Sequence, residues 1–151
     1  MLFFFFFMTA HFPKSNRLLK SKEFQFIQRQ GKKVSGGAIQ FLVYRCQYKK
    51  TVRMGLTVSS KYGPSVARNL FKRRNRDIYR RLLDSIPERW MIHIRPHGKV
   101  KHAKEVASYE ALSNDWQILL PQLKSWTEEM ETLLKEDKND CGSRKSSSGA
   151  E

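Results

Sequence analysis

A chain of 151 residues with 29 lysines and arginines against 14 acids, net +15, has room for one domain with a real core and calls for a polyanionic partner. Cys46 and Cys141 stand far apart, the second in a polar end, which excludes a disulfide framework or a metal knuckle and fits a reducing, cytoplasmic setting. The opening MLFFFFFM is far shorter than the ~20 residues that span a bilayer, and Lys14 follows the apolar run instead of preceding it; the run reads as a dangling leader or an over-called start, with Met8 the alternative.

The charge is uneven. Residues 14–81 hold 19 cations and 2 acids (net +17), and residues 82–151 hold 10 cations and 12 acids (net −2). Residues 1–16 read as a tail. Ser21–Gln30 is a short helix, with Ser21 to cap it, Glu23 in its first turn and Gly31 to close it; Phe24 and Ile27 share a face. Gly36–Cys46 is a β-rich run with Ile39, Phe41 and Val43 on one side and Leu42 and Tyr44 on the other. After the polar turn QYKKT, Arg53–Ser59 alternates, with Met54, Leu56 and Val58 inward and Arg53, Gly55 and Thr57 outward. These two strands are expected to pair antiparallel. KYGPS is a loop, and Pro64 or Ser65 opens the next helix.

A third strand, Arg89–Arg95, follows Pro87 and ends at Pro96, and residues 96–107 read as an open loop. Ser108 caps a final helix in which Leu112, Trp116, Leu119, Leu120 and Leu123 keep helical spacing and Pro121 should kink or interrupt the run. From Glu128 the chain turns acidic and then Ser/Gly-rich, so residues 127–151 read as an acidic, largely disordered tail after a domain over 17–126.

The stretch Arg68–Arg81, RNLFKRRNRDIYRR, packs seven cations and one acid into fourteen residues. On a helical wheel with Phe71 at zero, Ala67, Phe71, Ile78 and Leu82 fall within about 40° of one line, with Asn75 beside them. Arg68, Lys72, Arg76, Asn69, Arg80 and Arg73 spread, in that order, from about 60° to 200°. Like charges at i, i+4 cost an isolated helix a few tenths of a kcal/mol each, so a narrow core seam backed by a broad cationic face needs an anionic partner to explain it. A merely solvated basic face is the weaker reading, given two asparagines and a near-absence of acids.

RNLFKRRNR is similar to the RNxxKRxxR signature of bacterial ribonuclease P protein subunits, and RLLKSKEFQ (17–25), FLVY (41–44) and VRMGLTVSSKYG (52–63) stand in that family's order. The resemblance covers about Arg17 to Leu123. It implies an α+β fold: a two-layer α/β sandwich with a four-stranded mixed sheet, about three helices and a left-handed βαβ crossover. It implies a protein that is not itself the catalyst, binds the catalytic RNA through the basic helix, and holds the 5′ leader of precursor tRNA between the sheet and the first helix. On that resemblance Arg68, Asn69, Lys72, Arg73 and Arg76 match the RNA-contacting signature, with Arg80 on the same face by geometry. Phe24 and Tyr44 match aromatic cleft positions, and Lys61 and Arg53 match basic positions near them. Two positions depart from the pattern: Leu70, where arginine is frequent, and Gln28, where a second cleft phenylalanine is expected, with Phe26 nearby on another helical face.

Phe24 reads equally as a stacking platform or a core aromatic, and Tyr44, with its polar tip, as a platform. His93, His97 and His102 lack Cys or acidic partners at ligand spacing, so no metal site is assigned, and His93 reads as a half-buried strand residue. Cys46 reads as a packed small hydrophobe. A self-sufficient nuclease would need clustered carboxylates or a histidine pair; residues 14–81 hold only Glu23 and Asp77, the latter placed to balance Arg73 or Arg81. No catalytic residue is therefore assigned, and Mg²⁺ is expected with the RNA subunit. The alternative class is a ribosomal or other general RNA-binding protein without a role in catalysis. DNA is not expected as a partner, since no helix-turn-helix or dimerisation seam is visible, nor is a membrane, since the apolar opening is too short to span one.

Overall fold

The computed structural model describes residues 12–97 and 107–144, with side chains as far as Lys138. The phenylalanine-rich opening, most of the loop expected over 96–107 and the final Ser/Gly-rich residues lie outside the described residues. The elements are α1 (Ser21–Gln30), β1 (Lys32–Ser35), β2 (Ile39–Arg45), β3 (Arg53–Leu56), α2 (Ser65–Leu82), β4 (Trp90–Pro96) and α3 (Tyr109–Arg144), with 3₁₀ turns at Lys14–Asn16 and Leu83–Ser85.

The four strands form one mixed sheet in the order β1-β2-β4-β3. β1 and β2 are antiparallel, β2 and β4 are antiparallel, and β3 runs parallel to β4, joined to it through α2. The expected pairing of β2 with β3 is therefore wrong: β4 lies between them. The reason is in its composition. Trp90 to Ile94 are all buried, and a strand covered on both faces and flanked on both edges belongs in the centre of a sheet. β3 is also shorter than expected, ending at Leu56. β1, not foreseen, carries Val34 as its one buried side chain, and its lysines mark it as an edge.

One face of the sheet packs against α2 and α3. Ile39, Phe41, Val43, Met54, Ile92 and Ile94 meet Phe71, Ile78 and Tyr79 from α2 and Leu112, Trp116, Leu119 and Leu123 from α3. Across the other face lies α1, over a smaller cluster of Leu18, Ile27, Leu42 and Met91. The alternation read for β2 holds, since Leu42 and Tyr44 face the α1 side. For β3, "outward" means the α1 side and not solvent: Arg53 and Gly55 are buried there. A Cβ on Gly55 would sit 2.4 Å from the Phe24 ring, so only glycine admits α1 at this distance.

Both ends of the chain depart from the tails expected. Phe12 is 5% exposed, its ring 5.3 Å from that of Tyr79, and Asn16 Nδ2 donates to the Val52 carbonyl, so the ordered domain starts well before position 17. At the other end α3 passes through Pro121 without a break and continues helical to Arg144. Trp90 Nε1 donates to Thr127 Oγ1, Lys32 Nζ sits 4.4 Å over the Trp126 ring, and Arg45 pairs with Glu131 at 3.2 Å; these contacts hold the helix against the sheet past position 126. Ser108 caps α3 as expected, accepting from the Ala111 N–H at 3.2 Å. Asp115, on the first turns of α3 and 5% exposed, accepts from the N–H groups of Gly37, Ala38 and Ile39 at 2.8–3.0 Å and so pins the β1–β2 turn to the helix.

Candidate nucleic-acid interface

Helix α2 starts after Pro64, which is extended and fixes the entry of the chain. Ala67, Phe71, Asn75, Ile78 and Tyr79 are buried. Tyr79 widens the seam beyond the stripe read from the sequence: burial pushes its phenol up to about 12, and the hydroxyl donates to the Val52 carbonyl at 3.0 Å. Asn75, 0% exposed, belongs to the core and not to the cationic face. Its Nδ2 donates to the Phe71 carbonyl at 2.9 Å, and its Oδ1 accepts from Trp116 Nε1 at 3.1 Å. One of the two asparagines that marked this stretch as unusual is thus a bolt between α2 and α3.

The opposite side of α2 presents Asn69, Arg73 and Arg76 as exposed side chains, while Arg68, Lys72 and Arg80 are half-buried along its edge. Among the described residues, Arg68, Asn69, Lys72, Arg73 and Arg76 have no polar partner in the protein. Arg80 and Arg17 both approach the Phe12 ring, at 6.0 and 5.0 Å, so the N-terminal segment closes one flank of this face. The remaining cations of the helix are structural. Arg74 donates to the Ala107 carbonyl at 2.7 Å, and Arg81 pairs with Asp77 at 3.1 Å, as expected for that lone acid. Sequence spacing thus places the cationic face correctly and the geometry leaves its charge uncompensated, which suits phosphate binding.

A second feature lies on the far side of the sheet. Between α1 and the end of β2 is a groove of about 420 Å³ lined by Lys22, Glu23, Phe26, Tyr44, Cys46, Gln47, Tyr48, Arg53 and Met91. Tyr44, half-buried, meets Phe26 edge-on with ring centroids 4.8 Å apart. Phe24, expected as its companion, does not line the groove. It turns under α1 onto Gly55 and lies edge-on to His93 at 4.9 Å. His93 is fully buried, deeper than expected, with Nε2 2.9 Å from Thr57 Oγ1; burial first, then the charge of Arg95, lowers its pKa to about 4.

Arg53 does line the groove, but its charge is engaged: Nη1 donates to Glu23 Oε1 at 2.6 Å, and its side chain is 8% exposed. The other oxygen of Glu23 accepts from the N–H groups of Leu19 and Lys20 at 3.3 and 3.4 Å, so Glu23, and not Ser21, caps α1, with Lys20 in the N-cap position. Burial would raise the Glu23 carboxyl, but the hydrogen bond and charge of Arg53 outweigh it and leave it lowered. Lys61 is exposed on the loop before α2 and lines a separate hollow with Thr57, Ser59 and Arg95; the structure does not bring it to the groove. Cys46 packs with the small cluster beneath the groove, as read.

Phe26, noted in the sequence only as near the cleft, and Tyr48, not singled out there, are 43% and 94% exposed on the groove's rim. The available signal was an aromatic residue alone on the polar face of α1. Among the described residues no three His, Cys, Asp or Glu side chains cluster to hold a metal ion, and no helix is long and apolar enough to cross a membrane.

This architecture has known counterparts. A family model described as Ribonuclease P matches residues 12–124. The Ribonuclease P protein component of Chlamydia pneumoniae is 40% identical over 75 residues, covering 50% of this chain and 54% of that protein, so the chain spans about half the length of that relative. The Chlamydia caviae protein of the same name is 33% identical over 113 residues, covering 75% of this chain and 77% of that one. The solved structure of the RNase P protein from Thermotoga maritima aligns with a TM-score of 0.61 at 26% identity, covering 70% of this chain and 96% of that one. The family match takes in α1, the whole sheet, α2 and the part of α3 that fills the core, and the chain belongs to the ribonuclease P protein family.

Proposed function

We propose that this chain is the protein subunit of ribonuclease P, a ribonucleoprotein endoribonuclease of the cytoplasm that removes the 5′ leader of precursor tRNA. Its uncompensated α2 face, Arg68, Asn69, Lys72, Arg73, Arg76 and Arg80, grips the catalytic RNA. The groove at Tyr44 receives the single-stranded leader, and Lys61 adds a phosphate contact at the sheet's other end. Arg53 serves the leader site by holding α1 in place through Glu23, and Phe24 by supporting α1 from below.

The observation that carries this reading is the face of α2: five side chains with no polar partner among the described residues, on a chain that belongs to this family. Two large polyanions repel each other, and cations at their junction replace part of the salt that would otherwise screen them. Hydrolysis at neutral pH needs an activated water and charge stabilisation, supplied in most nucleases by metal ions on clustered carboxylates. Glu23, which lines the groove, and Asp77, on α2, are each tied to an arginine. The chemistry, and the Mg²⁺ it uses, therefore belong to the RNA.

Reconstitution tests this. The purified protein alone should cut no precursor tRNA at any Mg²⁺ concentration. Added to the catalytic RNA, it should lower the Mg²⁺ needed for leader removal. Cleavage by protein freed of RNA, or an unchanged Mg²⁺ requirement, refutes the proposal; the second result would favour a general RNA-binding protein.

A further inference from the structure

The outer face of α1 carries a pattern that the groove does not account for. Lys22, Phe26 and Arg29 stand at i, i+4 and i+7, so they form one stripe about 10 Å long on the helix. All three are exposed, Phe26 at 43%. Phe26 also belongs to two hollows at once. On one side is the groove it shares with Tyr44. On the other is an adjoining hollow of about 380 Å³, lined by Lys22, Gln25, Phe26, Arg29 and Gln30. That second hollow holds two cations, two amides and an aromatic ring, and no acid. The acid of the helix, Glu23, is bound to Arg53.

The Phe26 ring meets Tyr44 edge-on and leaves 43% of its surface in water between two cations. The same arrangement suits unpaired nucleotides: a ring for a base to stack on, with a cation on either side for the flanking phosphates. Double-stranded RNA would not use it, since its bases are stacked on one another.

Resting on the function proposed above, we infer that the single-stranded RNA site continues out of the groove, over Phe26, onto the outer face of α1. One base stacks on Phe26, phosphates on either side meet Lys22 and Arg29, and the Gln25 amide lies within reach of a base edge. Because Phe26 lines both hollows, a base stacked on it extends the bound tract outward from the groove.

The test uses enzyme reconstituted with catalytic RNA, precursor tRNAs whose leaders lengthen one nucleotide at a time, and mature tRNA. In the unchanged protein, affinity should climb with leader length and then level off. Phe26→Ala should bring the levelling forward to a shorter leader and weaken binding of longer leaders by roughly five-fold or more, as loss of one stacked base does. Mature tRNA and the shortest leaders should be unaffected, and Phe26→Trp should restore the longer ones. Lys22→Gln with Arg29→Gln should reduce the salt slope for long leaders by about 1.4, at about 0.7 per single-strand contact. Equal losses for mature tRNA and every leader would overturn the inference, because they would report on assembly. No loss at any length would overturn it too, leaving Phe26 as packing for Tyr44. If the unchanged enzyme itself fails to prefer precursor to mature tRNA, the function proposed above fails first.

Discussion

Acidification should destabilise this protein through one buried imidazole. His93 sits in the central strand, 0% exposed, with Phe24 against its ring, Thr57 at Nε2, and no partner for Nδ1 among the described residues. Its pKa, ordinarily 6.5, is lowered to about 4 by burial and, secondarily, by Arg95. The unfolded chain therefore takes up the proton near pH 6.5 and the folded chain does not until near pH 4. The stability tied to the neutral ring is whole above pH 6.5 and is lost as pH falls towards 4, by roughly 2 kcal/mol at pH 5 and about 3 kcal/mol in full. Urea unfolding at pH 7.5, 6 and 5, at constant ionic strength, should be run on the unchanged protein and on His93→Gln, which cannot titrate. Carboxylates act on both proteins alike, so the difference between them isolates His93. That difference should move by about 2 kcal/mol in favour of the variant between pH 7.5 and 5. A difference that stays constant across this range would show that the ring is solvated or already paired with its proton, and would refute the reasoning.

The two sides of α2 should separate binding from folding. Arg73→Glu, on the exposed face, should weaken RNA binding strongly with thermal unfolding unchanged, whereas Phe71→Ala, fully buried, should cost about 3–5 kcal/mol of stability. Similar profiles for the two variants would mean that the faces are wrongly assigned. Asp115→Ala removes the acceptor of three backbone N–H groups and should cost about 3 kcal/mol in thermal unfolding, since bonds to a charged group contribute about 1.5–3 kcal/mol each and the exposed Gly37 end can rehydrate. A loss below about 1 kcal/mol would show that water replaces the carboxylate.

Much of this was legible because it is local. The seam and cationic face of α2 follow from helical spacing and Pro64, and the inward and outward sides of β2 from strict alternation. What depended on distant partners was not. The Trp116 that claims Asn75 lies 41 residues away, and the Glu23 that claims Arg53 lies 30 away, so spacing put Asn75 beside the seam without its partner and read Arg53 as outward. Strand β1 offers one buried side chain, too little to form a pattern. The end of α3 was hidden because composition alone separates an acidic helix poorly from an acidic coil; the deciding contacts, Trp126 with Lys32 and Glu131 with Arg45, reach back across the whole domain. Phe24 was left open between platform and core because the wheel of α1 gives relative directions, and only Gly55 tells which direction is down.

The strand order has a consequence for how the chain is made. β1 and β2 form a local antiparallel pair and can close as soon as both have left the ribosome. β3 follows them, but among the described residues β4 is the one strand it pairs with, so until Trp90–Pro96 emerges it has just the single bridge from Met54 to Arg17. During that interval the growing chain displays the basic segment 65–82 before the sheet behind it is complete. Completion of β4 then supplies both missing edges in one step, so a lesion in that strand would leave β3 unpaired and bare one edge of β2, where a lesion in β1 would bare only the other edge of β2.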